Sequence, residues 1–250
     1  MDPWLYILAG LAGLMYIGAP LVVLSTLKQA REPVFEELDP DSEALPKEVV
    51  AHLVESIQAL TQDGFVLVNY YEPQGLGSNV KTYLALLENR AENDLAIAIG
   101  MFSTQGGALA AQSLHVEFSN LFEDDSSVST NNSPQLMVTA PLPRRTVGLF
   151  PLEKDPRRLY AIHRKLLERH GGTKQPSPAR EGLVQYLVAS VQREHRAQEE
   201  AGYFRLSGEN FVPTLKGAFL MTWKLLPPLS LLLGWSRERR GRALLAELGL

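Results

Sequence analysis

The chain has 250 residues, 45% of them apolar and 21% charged, a formal net charge of −4 and no cysteine. That length holds one sizeable domain or two small ones, and the composition excludes global disorder. The lack of cysteine excludes a disulfide framework, a thiolate metal site and a cysteine nucleophile, and it fits a reducing compartment.

Pro3 to Leu27 reads PWLYILAGLAGLMYIGAPLVVLSTL, without a charge. About 20 such residues cross a hydrocarbon core at a helical rise of about 1.5 Å each. Ten residues from Trp4 to Leu24 are Leu, Ile or Val. At about −0.3 to −0.6 kcal/mol each they favour insertion by roughly 3 to 6 kcal/mol before Gly and Pro20 are set against them. A transmembrane anchor helix is expected over residues 1–31, with Trp4 and Tyr6 in the interfacial aromatic belt. A cleaved signal peptide needs a basic start and a small-residue cleavage site. Here Asp2 is the one charged side chain before the span, and Leu27-Lys28-Gln29 offers no such site. Lys28 and Arg31 follow the span and no Lys or Arg precedes it, which places the main domain on the cytoplasmic side of the cell (inner) membrane. Ala9 and Gly13 form a small-xxx-small pair through which two anchor helices can approach, a route to a homo-oligomer.

Residues 32–46 are acidic and carry Pro33, Pro40 and Pro46, the pattern of a solvated linker. An α+β domain is expected over 47–172. Pro46 opens a helix whose face is Val49, Val50, Leu53, Val54, Ile57 and Leu60, closed by Asp63-Gly64. The period then changes to two. Strands are expected at Phe65–Tyr71, Val80–Leu87, Leu95–Phe102 and Ala108–Phe122, with shorter runs at Val128–Thr130, Leu136–Ala140 and Thr146–Phe150. The intervening breaks, such as Gln105-Gly106-Gly107, are too short for crossover helices, so an antiparallel meander of five to seven strands follows. Asp155 and Pro156 start a second helix through His170, and Gly171-Gly172 ends it. Helix, meander, helix is an α+β order. It is similar in architecture to pleckstrin-homology-like barrels and, more loosely, to helix-grip lipid-binding folds, an analogy that transfers no residue role.

Residues 173–202 hold an amphipathic helix with Leu183, Val184, Leu187, Val188 and Val191 on one face. Its charged second half, Gln192 to Glu200, is expected to project into solvent. Residues 203–250 begin with a short hairpin turning at Ser207-Gly208 and continue as the apolar stretch Gly217 to Trp235. Its eight Leu and Phe residues favour insertion by about 2.4 to 4.8 kcal/mol, while Lys224 costs about 2.5 to 3.5 and Pro227-Pro228 breaks the helix. An interfacial or re-entrant segment is favoured over a second span or a helix packed on the domain. The charge distribution agrees: residues 1–152 hold 7 basic against 18 acidic residues, and residues 153–250 hold 17 against 10. A basic tail of Arg237, Arg239, Arg240 and Arg242 would meet anionic lipid beside Trp223, Lys224 and Trp235.

Chemistry is absent as a pattern. There is no phosphate loop, no GxGxxG opening a helix, no HExxH and no GxSxG, and the five histidines are dispersed. Asp124-Asp125-Ser126-Ser127 reads as a turn, and Gly75-Leu76-Gly77 as turn chemistry as well. The 203–214 hairpin resembles a winged-helix wing, but no recognition helix precedes it, so no nucleic-acid partner is expected, and no cofactor. The expectation is a membrane-anchored, non-catalytic binding or scaffolding module whose partners are membrane lipid and a protein or apolar ligand. A lipid-transfer domain with an apolar pocket, and a membrane-bound enzyme with an unfamiliar site, are the alternatives.

Overall fold

The computed structural model describes residues 3–39, 45–76, 80–103 and 110–250, without the side chains of 3, 5, 7–9, 103 and 110–112. Asp2, Pro40, Gly77, the Gln105-Gly106-Gly107 break, the start of the strand expected from Ala108 and the Ala9 side chain lie outside the described residues.

The uncharged opening is helical throughout: α1 (Pro3–Gly13), a π-helical turn (Leu14–Gly18) and α2 (Ala19–Thr26). The π turn sits where Pro20 cannot donate to the carbonyl four residues back. Two strands follow, β1 (Gln29–Ala30) and β2 (Val34–Glu37), then α3 (Lys47–Thr61). The alternating stretch becomes β3 (Val66–Gln74), β4 (Val80–Asn89), β5 (Asp94–Ser103), β6 (Ala110–Leu121), β7 (Ser127–Asn131) and β8 (Arg145–Leu149). Then come α4 (Pro156–His170), α5 (Leu183–Glu200), the hairpin strands β9 (Phe204–Ser207) and β10 (Asn210–Pro213), α6 (Leu215–Leu225) and α7 (Leu229–Glu247).

The fold is α+β. A seven-stranded open sheet runs β2-β3-β4-β5-β6-β7-β8, antiparallel except for the parallel β7–β8 pair. Three features depart from the expected meander. Val34–Glu37, assigned to the solvated linker, adds an edge strand against β3. Leu136–Ala140 is irregular, and the connection from Asn132 to Arg144 is long enough to return β8 beside β7 in parallel. The sheet also stays open, unlike a pleckstrin-homology-like barrel.

Side-chain size decides how the layers meet. Ala96, Ala98 and Gly100 line one face of β5 and let α3 approach closely. A Cβ built on Gly100 would come within 2.6 Å of Val49 Cγ1. Leu53 and Leu60 of α3 and Leu159, Ile162 and Leu166 of α4 fill this core. The other face carries Leu84, Leu86 and Leu95, covered by Leu183 and Leu187 of α5. The sheet thus lies between α3/α4 and α5. Asp155 caps α4 by accepting from Arg157 N at 2.9 Å, and Gly171, at φ 70°, ends it.

A smaller unit holds the remaining helices. β1 joins β9 and β10 in a three-stranded sheet. Tyr203, Phe204, Phe211 and Met221 form its core, with Val23 and Leu27 packed against it. Gly217 sets α6 directly on the hairpin backbone, since a Cβ there would lie 1.9 Å from the Tyr203 carbonyl oxygen. The second half of α5, expected in solvent, packs here instead. His195 lies 5.0 Å from the Phe211 ring, and Gln198 pairs with both backbone groups of Ala140 at 2.9 Å each. α7 turns back at the Pro227-Pro228 break, and Leu244, Leu245 and Leu248 at its end pack on the main core.

Candidate functional site

Large apolar side chains left in the open gather on three helices. On the N-terminal helix they include Trp4, Tyr6, Leu14, Ile17 and Val22; on α6 and the start of α7, Trp223, Leu225, Leu229, Leu231, Leu232 and Trp235. Trp4 and Leu14 are each 68% exposed and Leu231 is 69% exposed. Clusters of exposed apolar side chains on proteins mark contact surfaces. Among the described residues no single helix is long and apolar enough to cross a membrane. Gly10–Thr26 is a shorter apolar helix, and α6 with α7 passes that test only as a pair bent by 71°.

One contact ties the two ends of the sequence together. The Trp223 Nε1–H donates to the Tyr16 carbonyl at 2.9 Å. Tyr16 is four residues before Pro20, so its carbonyl is the one that a proline leaves without the usual helical donor. An indole from α6 supplies a donor there, as neighbouring helices do for proline-interrupted spans in lipid.

The basic residues expected at the membrane take different positions. Lys28 and Arg31 are exposed just beyond α2. Arg239 lies over the Trp235 ring at 5.5 Å, Arg240 bonds the Ser236 hydroxyl at 2.9 Å, and Arg242 is exposed. Lys224 turns inward: its amine donates to the Val138 and Thr139 carbonyls and to the Tyr203 hydroxyl, at 2.8 to 3.0 Å. Arg237 likewise donates to the carbonyls of Pro134 and Gln135. The charge counted against insertion at Lys224 is therefore answered by protein oxygens.

A second group of polar residues, which sequence patterning missed, lies inside the main core. The buried Asp94 carboxylate accepts from the Tyr160 hydroxyl at 2.7 Å, from Asn120 Nδ2 at 3.0 Å and from the Lys174 amine. Because Asn120 spends its amide on Asp94 and the Asn93 carbonyl, its oxygen faces His163, whose Nε2–H donates to it at 2.8 Å. His163 Nδ1 then accepts from the Thr130 hydroxyl at 2.9 Å. Burial lowers the His163 pKa to about 4, so the ring is neutral at pH 7, a state that fits this bonding. The signal was present: Asp94 shares its face of β5 with Ala96, Asn120 shares its face of β6 with Phe118, and His163 belongs to the apolar stripe of α4.

This network is closed rather than catalytic. Each of its groups is satisfied by a protein partner, and no reacting atom has access to His163, which is fully buried. Two Ser–His pairs have the form of a nucleophile and base, Ser126–His170 at 2.8 Å and the buried Ser113–His115 at 2.9 Å. Yet Asp124 bonds Ser126 rather than His170, closing the turn expected at Asp124-Asp125-Ser126-Ser127. On the α5 side of the sheet a cavity of about 250 Å³ is lined by Leu84, Ile97, Ile99, Tyr186 and Leu187, with Glu117 at its polar end. Burial raises the Glu117 pKa, and Arg145, 2.9 Å away, opposes that shift. Compared with known proteins, the chain matches no family model, no curated protein and no solved structure.

Proposed function

We propose that this chain is a membrane-associated, non-catalytic binding module. Its N-terminal helix sits in the bilayer with α6 and the first half of α7 beside it, and its α+β body lies on the cytoplasmic surface. The observation that carries the reading is the gathering of exposed Trp, Leu, Ile and Val side chains on the N-terminal helix, α6 and α7, with α6 packed against the other two. The positions of Lys28 and Arg31 supply the orientation. The cavity beneath α5 keeps an apolar-ligand role as the second reading, because it is lined mainly by aliphatic side chains and sits apart from the membrane-facing helices.

Flotation with phosphatidylcholine vesicles tests the reading. The full chain, mixed in detergent that is then removed, is expected to float with the vesicles, and a Leu14→Arg/Leu231→Arg variant to remain at the bottom of the gradient. Each charge costs about 2.5 to 3.5 kcal/mol in the hydrocarbon, comparable to the whole gain expected from the N-terminal helix. A wild-type chain that stays monodisperse in the aqueous fractions without detergent contradicts the proposal.

A further inference from the structure

A cavity of about 400 Å³ opens where α7 crosses the irregular stretch before β8. Its walls divide by chemistry. Leu136, Met137, Val147 and Leu233 supply apolar surface, and Arg145, Lys224, Arg237 and Arg240 supply four cationic groups; no carboxylate is among the lining residues. Three of the cations are already engaged: Arg145 by Glu117, Lys224 by the Val138 and Thr139 carbonyls, and Arg237 by the Pro134 and Gln135 carbonyls. Arg240, on α7, bonds the Ser236 hydroxyl. Among the described residues the ion pairs of this region go to Arg145 and Arg169, and none to Arg237 or Arg240. Arg237 Nε–H is buried without an acceptor.

The lining selects the kind of anion. Leu233, Arg237, Arg240 and Leu244 share one face of α7, so apolar and cationic walls meet along that helix. We propose that the cavity seats the headgroup of an anionic phospholipid, with the phosphate between Arg237 and Arg240 and the start of the acyl chains against Leu136, Met137 and Leu233. This rests on the membrane-facing reading above and adds a lipid selectivity that the reading does not require. Mixed apolar and cationic lining is what such an amphiphile needs, whereas a free inorganic anion would gain nothing from Leu136, Met137 and Val147.

The test uses the full chain in detergent micelles, titrated with short-chain phosphatidylglycerol, short-chain phosphatidylcholine and inorganic phosphate, alongside flotation on phosphatidylcholine vesicles. Saturable binding of phosphatidylglycerol is expected, at least about fivefold tighter than of phosphatidylcholine, since each arginine near the anion is worth about that factor. Arg240→Gln, at an exposed position of α7, is expected to weaken it about fivefold with the circular dichroism unchanged, and Met137→Glu to weaken it by placing a carboxylate in the cavity. Equal binding of both lipids, equal binding of phosphate alone, or an unaltered Arg240→Gln variant overturns the proposal. A chain that floats yet shows no preference refutes the lipid seat only; a chain that fails to float refutes the membrane reading itself.

Discussion

Replacing Asp94 with alanine is expected to lower the unfolding free energy by about 3 to 5 kcal/mol, the cost of breaking a buried ion pair from one side. The carboxylate accepts from Tyr160, Asn120 and Lys174 at once. Without it the lysine is left beside an empty site, and the hydroxyl of Tyr160, whose ring centre lies 4.8 Å from that of Phe65 and 5.3 Å from that of Phe118, loses its acceptor. Tyr160→Phe removes one donor together with its need for an acceptor and is expected to cost only about 1 kcal/mol. Urea unfolding of the full chain in mild detergent, followed by near-ultraviolet circular dichroism, checks both values. A loss below about 1 kcal/mol for Asp94→Ala would mean that the network is not formed in solution.

The second large effect is acid sensitivity. Burial holds both His163 and His115 at a pKa of about 4, against 6.5 in the unfolded chain. Each therefore binds a proton more readily when unfolded, and acid favours unfolding. Stability is full above about pH 6.5 and falls as the pH drops toward 4, by up to roughly 3 kcal/mol for each ring. Protonation of His163 would also oblige the Thr130 hydroxyl, 2.9 Å from Nδ1, to turn from donor to acceptor. Melting temperatures recorded from pH 7.5 to 4 are expected to fall steadily in this window. A flat profile, or His163 titrating near 6.5 by NMR, contradicts the buried neutral assignment.

How much of this was legible in the sequence depends on how local each feature is. The α4 boundaries follow from Asp155, Pro156 and Gly171, whose preferences act within a turn, and the hairpin follows from Ser207-Gly208, where Gly208 takes φ 60°. The long strands β4 to β6 announce themselves by alternation. The edges do not. β2 is the four-residue run Val-Phe-Glu-Glu, in which nothing but its pairing with β3 marks a strand, and the parallel seating of β8 is decided by the path from Asn132 to Arg144. The charged half of α5 reads as solvated because the partners of His195 and Gln198, Phe211 and Ala140, lie outside that helix.

The candidate site divides in the same way. That both ends of the chain are apolar could be read directly. That they meet, with Trp223 bonded to the Tyr16 carbonyl next to a proline, required the fold, as did the inward turn of Lys224 and Arg237. Sequence counting treated those two cations as a cost or as lipid contacts. Their amine and guanidinium groups instead bind carbonyls of the irregular stretch that the helices cross.

Lipid contact by the three apolar helices underlies the function, the orientation and the proposed lipid seat, and extraction of cell membranes at alkaline pH interrogates it most directly. The full chain, expressed at low level, should remain in the sedimented membranes after a sodium carbonate wash that strips surface-bound proteins. Complete release into the supernatant would show that these helices adhere to the bilayer only superficially, or not at all.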